Sequence, residues 1–199
     1  MLVDSHSHLF LEEFADDLPQ VMQRAREAGV THIFMPNIDS TTIESLLSVC
    51  AAYKEFCFPM IGLHPTSVNE NYKKELDIVA GQLASSNGYV AIGEIGLDLY
   101  WDKTFLREQL LAFEKQVEWA LEYHLPIVIH TREAFDYIYK VLQPYKETGL
   151  TGIFHSFTGT SEEMNWGSRI TSKGTVASSP EVTRFSTCSP RMASSPVMI

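Results

Sequence analysis

Short runs of apolar, β-compatible residues recur along the chain at positions 2–3, 32–35, 58–63, 89–92, 127–129 and 152–154. Between them the apolar positions change period. Leu18, Val21, Met22, Ala25 and Ala28 form one stripe, and Ile43, Leu46, Leu47, Cys50 and Tyr53 a second. Tyr72, Leu76, Val79, Ala80 and Leu83 form a third; Leu106, Leu110, Phe113, Val117, Ala120 and Leu121 a fourth; Phe135, Ile138, Tyr139 and Leu142 a fifth. Each stripe has helical spacing and predicts a helix with one face on a sheet. Gly29 closes the first, Thr41-Thr42-Ile43-Glu44 reads as a capping box opening the second, and Pro144 follows the fifth. Six strands alternating with five helices predict βαβ units and a parallel sheet, in either an open doubly wound form or a (β/α) barrel. No GxGxxG or GxxxxGK[ST] follows any strand, which weighs against the nucleotide-binding form.

Composition narrows the class. A chain of 199 residues, 45% hydrophobic and 20% charged, suits one soluble globular domain with a sizeable core. No run of 18 apolar residues suggests a membrane span, and a strand starting at residue 2 leaves no room for a signal peptide. Cys50, Cys57 and Cys188 are odd in number, scattered and without a CxxC, which points to a reducing cytoplasm and away from a disulfide framework or a thiolate zinc site. A net charge of −10 argues against a wide non-specific nucleic-acid surface, though not against an enzyme whose bound cations neutralise phosphate locally. The charge is uneven: residues 1–164 carry −13 and residues 165–199 carry +3.

The strand ends carry the chemistry. The first strand runs into Asp4-Ser5-His6-Ser7-His8, and in an extended chain His6 and His8 point to one side. The third strand stops at His64, the fourth at Glu94, the fifth at His130 and the sixth at His155. Five of six strands thus deliver a metal-competent side chain at the carboxyl end, the face where a (β/α) barrel builds its active site. His32 and His124 fall near strand starts and are expected to be structural. Histidines with a carboxylate suit Zn, Mn or Fe, and Mg less naturally. A carboxylate among them can bridge two cations, an arrangement suited to hydrolysis of phosphate esters or amides.

Five segments taken together, DSHSHL at 4–9, GLHP at 62–65, GEIGLD at 93–98, PIVIHTRE at 126–133 and FHSFTG at 154–159, resemble the TatD family of metal-dependent deoxyribonucleases. The resemblance spans residues 1–164 and implies a TIM-type (β/α) barrel in the metal-dependent hydrolase class. It implies hydrolysis of DNA phosphodiester bonds with two divalent metal ions (Mg, Mn or Zn), often as a 3′–5′ exonuclease on single-stranded ends. By motif, His6 and His8 match ligands of one metal, His130 and His155 ligands of the other, and Glu94 the catalytic carboxylate bridging both. His64 and Arg132 match positions that hold substrate phosphate, and the planar guanidinium suits that task. Asp4 and Asp98 are expected to orient ligands, with a turn role for Asp98 as the alternative. Tyr100 and Trp101 could stack a base or pack on the barrel rim. No membrane or obligate protein partner is implied.

The C-terminal part departs from the family. Residues 165–199 contain 17 Ser, Thr, Pro or Gly, show no helical stripe, and lack the family's aspartate in a motif like E-T-D-x-P at the eighth strand. The expectation is therefore an incomplete barrel of about six of eight strands over residues 1–164, a poorly ordered tail over 165–199, and impaired turnover. Two other readings stand beside the nuclease: an amidohydrolase acting on a C–N bond, and a metal-binding fragment without activity.

Overall fold

The computed structural model describes residues 2–85, 88–155, 160 and 162. Strands and helices alternate: β1 (Leu2–Asp4), α1 (Leu18–Glu27), β2 (Val30–Pro36), α2 (Ile43–Ala52), β3 (Cys57–Met60), α3 (Tyr72–Ala84), β4 (Ile92–Asp98), α4 (Leu106–Glu122), β5 (Ile127–Arg132), α5 (Phe135–Leu142) and β6 (Gly152–His155). Each helix falls on one of the five apolar stripes. The expectations for residues 165–199 lie outside the described residues.

All strand pairings are parallel, in two ladders ordered β1-β2-β3 and β4-β5-β6. One continuous sheet was the expectation; at the β3–β4 seam the ladder thins to the single bridge Ile61↔Ile92. Backbone bonds still stitch it: Val90 N–H to Pro59 O at 3.0 Å, Ile61 N–H to Ala91 O at 3.2 Å, and Gly93 N–H to Ile61 O at 2.9 Å. Pro59 inside β3 has no N–H to offer, so regular pairing weakens around it.

The wall curls round at its carboxyl end, although among the described residues no ladder joins β6 to β1. β1 and β6 are the outer strands of the order β1 to β6, and a flat sheet of six would hold them ~24 Å apart at the usual strand spacing. Yet His6, just past β1, and His155, ending β6, stack with ring centroids 3.5 Å apart. Only a rolled sheet achieves this, so the architecture is that of a TIM-type (β/α) barrel wall with six described strands.

Two differences from the sequence pattern bear on the site. The fourth strand begins at Ile92, the last residue of the apolar run at 89–92, and continues past Glu94, its expected end, to Asp98 with all seven residues buried. Gly93 and Gly96 permit close approach to β5: a Cβ on Gly93 would stand 2.7 Å from Val128 Cβ, and one on Gly96 would stand 2.0 Å from the His130 carbonyl oxygen. The cap before α2 also differs. Asp39, not Thr41, heads the box: its carboxylate accepts from Thr41 N–H at 3.0 Å while Thr42 Oγ1 accepts from Asp39 N–H at 3.3 Å. A 3-10 turn thereby precedes the helix.

The main core lies outside the wall, where Ile92, Ile95 and Leu97 of β4 and Ile127 and Ile129 of β5 meet Val79 and Leu83 of α3, Phe113 and Val117 of α4, and Ile138 of α5. A second cluster packs Met22 of α1 and Leu46 and Cys50 of α2 on Ile33 and Met35 of β2. A third lies inside the barrel and takes Phe34, Met60, Ala91, Val128 and Ile153 from successive strands or strand approaches.

Candidate metal centre

The polar site stands on that interior layer. Side chains of a strand repeat every second residue, so above Val128 comes His130 and above Ile153 comes His155. Beyond β3 the chain continues from Met60 through Gly62 to His64, which opens a 3-10 turn over Pro65–Ser67. On β4 a register irregularity between Ile92 and Ile95 sends Ile92, Ile95 and Leu97 to the outer core and leaves Glu94 and Asp98 to the site. One apolar layer thus floors a ring of imidazoles and carboxylates.

Glu94 is the hub, and it is 2% exposed. Its Oε2 lies 3.0 Å from His6 Nε2 and 3.6 Å from His64 Nε2, and its Oε1 lies 3.2 Å from His130 Nδ1. His8 joins through Nε2, 3.2 Å from His6 Nε2. The donor atoms form two compact groups that share Glu94: His6, Glu94 and His155, and His64, Glu94 and His130. His155 thus lies against His6, and His64 sits beside His130. Asp98 Oδ2 is 2.9 Å from His130 Nε2, so that ring spans two carboxylates. Asp98 Oδ1 also accepts Tyr100 N–H at 3.1 Å, so the orienting role and the turn role coexist. Asp4 Oδ1 accepts from His6 N–H at 3.1 Å and fixes the backbone of that residue rather than its ring. Arg132 ends β5, in register with Asp98, and is exposed above the cluster's edge. His32 stacks on Phe58 at the amino half of the sheet and His124 follows α4, both away from the ring.

Burial sets the charge state. Desolvation, helped by neighbouring histidines and opposed by the charge of Glu94, pushes His8, His64 and His155 down from 6.5 to about 4, so each is neutral at pH 7. Burial also opposes ionisation of Glu94, but hydrogen bonds from His130 and His6 outweigh it and hold the carboxyl well below its usual range. His130 is raised: burial alone would lower it, and the bonds and charges of Glu94 and Asp98 prevail.

A pH dependence of stability follows. Three histidines take up protons near 6.5 when unfolded but only near 4 when folded. Between those values the unfolded chain binds more protons, so stability falls as pH drops through that window. His130 acts with the opposite sign, being stabilising below its unfolded value, and one group does not offset three. Denaturation midpoints measured without added metal are expected to be lower at pH 5 than at pH 7.5. Equal midpoints would contradict this charge assignment.

Three buried amides that sequence reasoning missed hold the ring in place. Gln116 accepts Leu63 N–H on Oε1 at 2.7 Å and donates from Nε2 to Leu63 O at 3.4 Å, fixing the residue before His64. Gln109 does the same to Asp98, at 2.9 and 3.2 Å. Asn37 donates to Gly62 O at 2.9 Å and to Asp39 O at 3.0 Å. The available signal was a pair of amides, Gln109 and Gln116, in step with the apolar stripe of Phe113, Val117 and Ala120 on α4.

The donor set fits cations on its own terms. Among the described residues, Nδ1 of His6 and of His8 are buried without a hydrogen-bond partner, and two Nε2 atoms face each other beside an ionised carboxylate. Lone pairs gathered in this way are satisfied by a cation. Comparison with known proteins gives the same direction. The model of the family described as TatD related DNase matches residues 3–193.

The chain belongs to the TatD family.

Among its relatives, an uncharacterized metal-dependent hydrolase, YabD, of Bacillus subtilis (strain 168) is 35% identical over 162 residues, covering 81% of this chain and 63% of the relative. A 3'-5' ssDNA/RNA exonuclease TatD of Pantoea ananatis is 31% identical over 163 residues, covering 82% and 62%. The chain therefore spans somewhat under two thirds of the length of these relatives. Among solved structures, the TatD homolog YJJV from Escherichia coli K12 superposes with a TM-score of 0.76 at 28% identity, covering 85% of this chain and 65% of that one. This TatD-family chain accordingly has a TIM-type fold and carries candidate metal-binding groups centred on Glu94. Among the described residues, no helix is long and apolar enough to cross a membrane.

Proposed function

We propose that this TatD-family hydrolase cleaves phosphodiester bonds of DNA from single-stranded 3′ ends, using two divalent cations held by His6, His8, His130, His155 and Glu94. The observation that carries the reading is the division of labour at Glu94: one oxygen faces His6, with His155 grouped beside it, and the other faces His130. A carboxylate with its oxygens so disposed would help hold paired cations, which when bound would supply Lewis-acid stabilisation of phosphoryl charge and activation of water.

The chain's own residues do the rest. Thr66 N–H donates to His64 Nδ1 at 3.2 Å, which leaves the ring proton on Nε2. His64 then presents a donor to the site instead of a lone pair, and it joins Arg132 in holding a phosphate oxygen. Asp98, on Nε2 of His130, orients that ring and leaves Nδ1 directed at Glu94. Asp4 fixes the peptide of His6 and so the direction from which its imidazole enters. The floor of Phe34, Met60, Val128 and Ile153 keeps bulk water from beneath the reacting phosphate. The names of the exonuclease relatives support a nucleic-acid substrate. The buried free thiols Cys50 and Cys57 support a reducing, cytoplasmic setting.

The test is a digestion of 5′-labelled single-stranded DNA by the 199-residue protein with Mg, Mn or Zn, alongside a panel of simple amides. Stepwise shortening from the 3′ end, abolished by excess chelator, is the expected result. Digestion that persists in chelator, or cleavage of amides alone, would overturn the proposal.

A further inference from the structure

Trp101 is 75% exposed, and its neighbour Tyr100 is 48% exposed. Leaving an indole in water forgoes a large burial gain, and rim packing does not account for it. The pair is nevertheless braced by its neighbours. Tyr100 and Trp101 meet edge to face, with centroids 4.7 Å apart at 89°. The guanidinium of Arg132 lies 3.7 Å above the Tyr100 ring and 5.4 Å from that of Trp101. Below them, Leu99 N–H donates to Arg132 O at 3.0 Å, and Tyr100 N–H to Asp98, whose other oxygen touches His130. Only two residues, Leu99 and Tyr100, therefore separate the exposed indole from the carboxylate that orients a member of the metal group. A cavity of about 250 Å³ opens beside it, lined by Trp101, Asp98, Phe105 and, from the turn after His64, Pro65 and Thr66.

We infer that Trp101, braced by Tyr100 and Arg132, is the stacking platform for an unpaired nucleobase of the strand being cleaved, next to the phosphate held at the metal centre. The inference rests on the nuclease reading and gives it a base subsite. An aromatic face combined with a cation is a sequence-tolerant way to hold a single strand, because every base offers a π-face. Arg132 serves both parts of one nucleotide, its charge reaching phosphate and its plane ordering the aromatic pair. A base within a duplex has its faces covered by neighbours, so this platform selects single-stranded ends.

The test compares wild type, Trp101→Ala and Trp101→Phe on two dye-labelled single strands, one with ordinary bases and one with abasic sites at its last three 3′ nucleotides. Binding is read by anisotropy in chelator, and KM by turnover with cation. Wild type is expected to prefer the base-bearing strand. Trp101→Ala is expected to reduce that preference about tenfold, chiefly through Kd and KM, and Trp101→Phe to keep most of it. A preference that survives intact in Trp101→Ala, or is missing from wild type, overturns the inference. If no strand is cleaved by any variant the nuclease reading fails, while the binding comparison still decides the platform.

Discussion

Replacing Glu94 with glutamine is expected to reduce cation-dependent hydrolysis by about 10³-fold or more while the protein remains folded. Glutamine keeps the shape of the side chain and removes its charge. What is lost is the anion that both histidine groups face, through His6 at 3.0 Å and His130 at 3.2 Å. Without it, cations at the site would have only neutral imidazoles as ligands on this side, and a carboxylate's share of their affinity would vanish. Metal-assisted stabilisation of a reacting phosphate amounts to several kcal/mol, and each ~1.4 kcal/mol is a factor of ten in rate. His130, held up by Glu94 and Asp98 together, should also titrate lower in the variant. Steady-state hydrolysis of single-stranded DNA, with metal content measured on the same samples, checks the expectation. Wild-type rates in the folded variant would remove Glu94 from its proposed role.

Replacing Gly96 with alanine is expected to cause the largest loss of stability from adding a single methyl group. The new Cβ would stand 2.0 Å from the His130 carbonyl oxygen, and 3.0 and 3.2 Å from the carbon and nitrogen of that residue. These are backbone atoms in the β4–β5 ladder, where Gly96 pairs with His130, so no side chain can swing aside. Gly96 also has φ +140°, a region essentially closed to residues with a Cβ. Overpacking costs ~1–3 kcal/mol, and a forced backbone conformation ~1–3 kcal/mol more. At about 2–4 °C per kcal/mol for a chain of this size, the melting temperature should fall by roughly 10 °C. Thermal unfolding followed by circular dichroism measures it. An unchanged melting temperature would mean that β4 does not approach β5 in this way. Because His130 is the strand partner, hydrolytic activity should fall too.

Much of this molecule was legible along the chain. The five helices were set by local periodicity, since a stripe at 3.6-residue spacing has few folds in which to bury itself. The residues of the ring were legible as well, because each follows an apolar strand core and the barrel topology gathers strand ends on one face. Their grouping was not. Whether His155 lies against His6 or beside His130 depends on how far the sheet has rolled, which no local pattern encodes. The fourth strand shows the same limit from the other side. The apolar run stopped at Ile92 because what Gly93 and Gly96 pack against are neighbours in space, which are absent from their neighbours in sequence.

The supporting amides mark the boundary most clearly. Gln109 and Gln116 fall on a buried helical face, and a single sequence shows them only as polar interruptions of an apolar stripe. Their targets are backbone groups of Asp98 and Leu63, the latter 53 residues away, and only the packed tertiary structure brings them together. Likewise, Tyr100 and Trp101 were open to base stacking or rim packing until the structure left Trp101 in solvent under the edge of Arg132. The sequence by itself determined which elements form and which side chains are chemically able to bind metal, since both follow from residue type and short-range spacing. The tertiary structure alone decided which of those side chains share a carboxylate, which lose their protons to burial, and which aromatic face stays in water. Those properties depend on distance and desolvation, and both arise only when strands far apart in the chain are folded side by side.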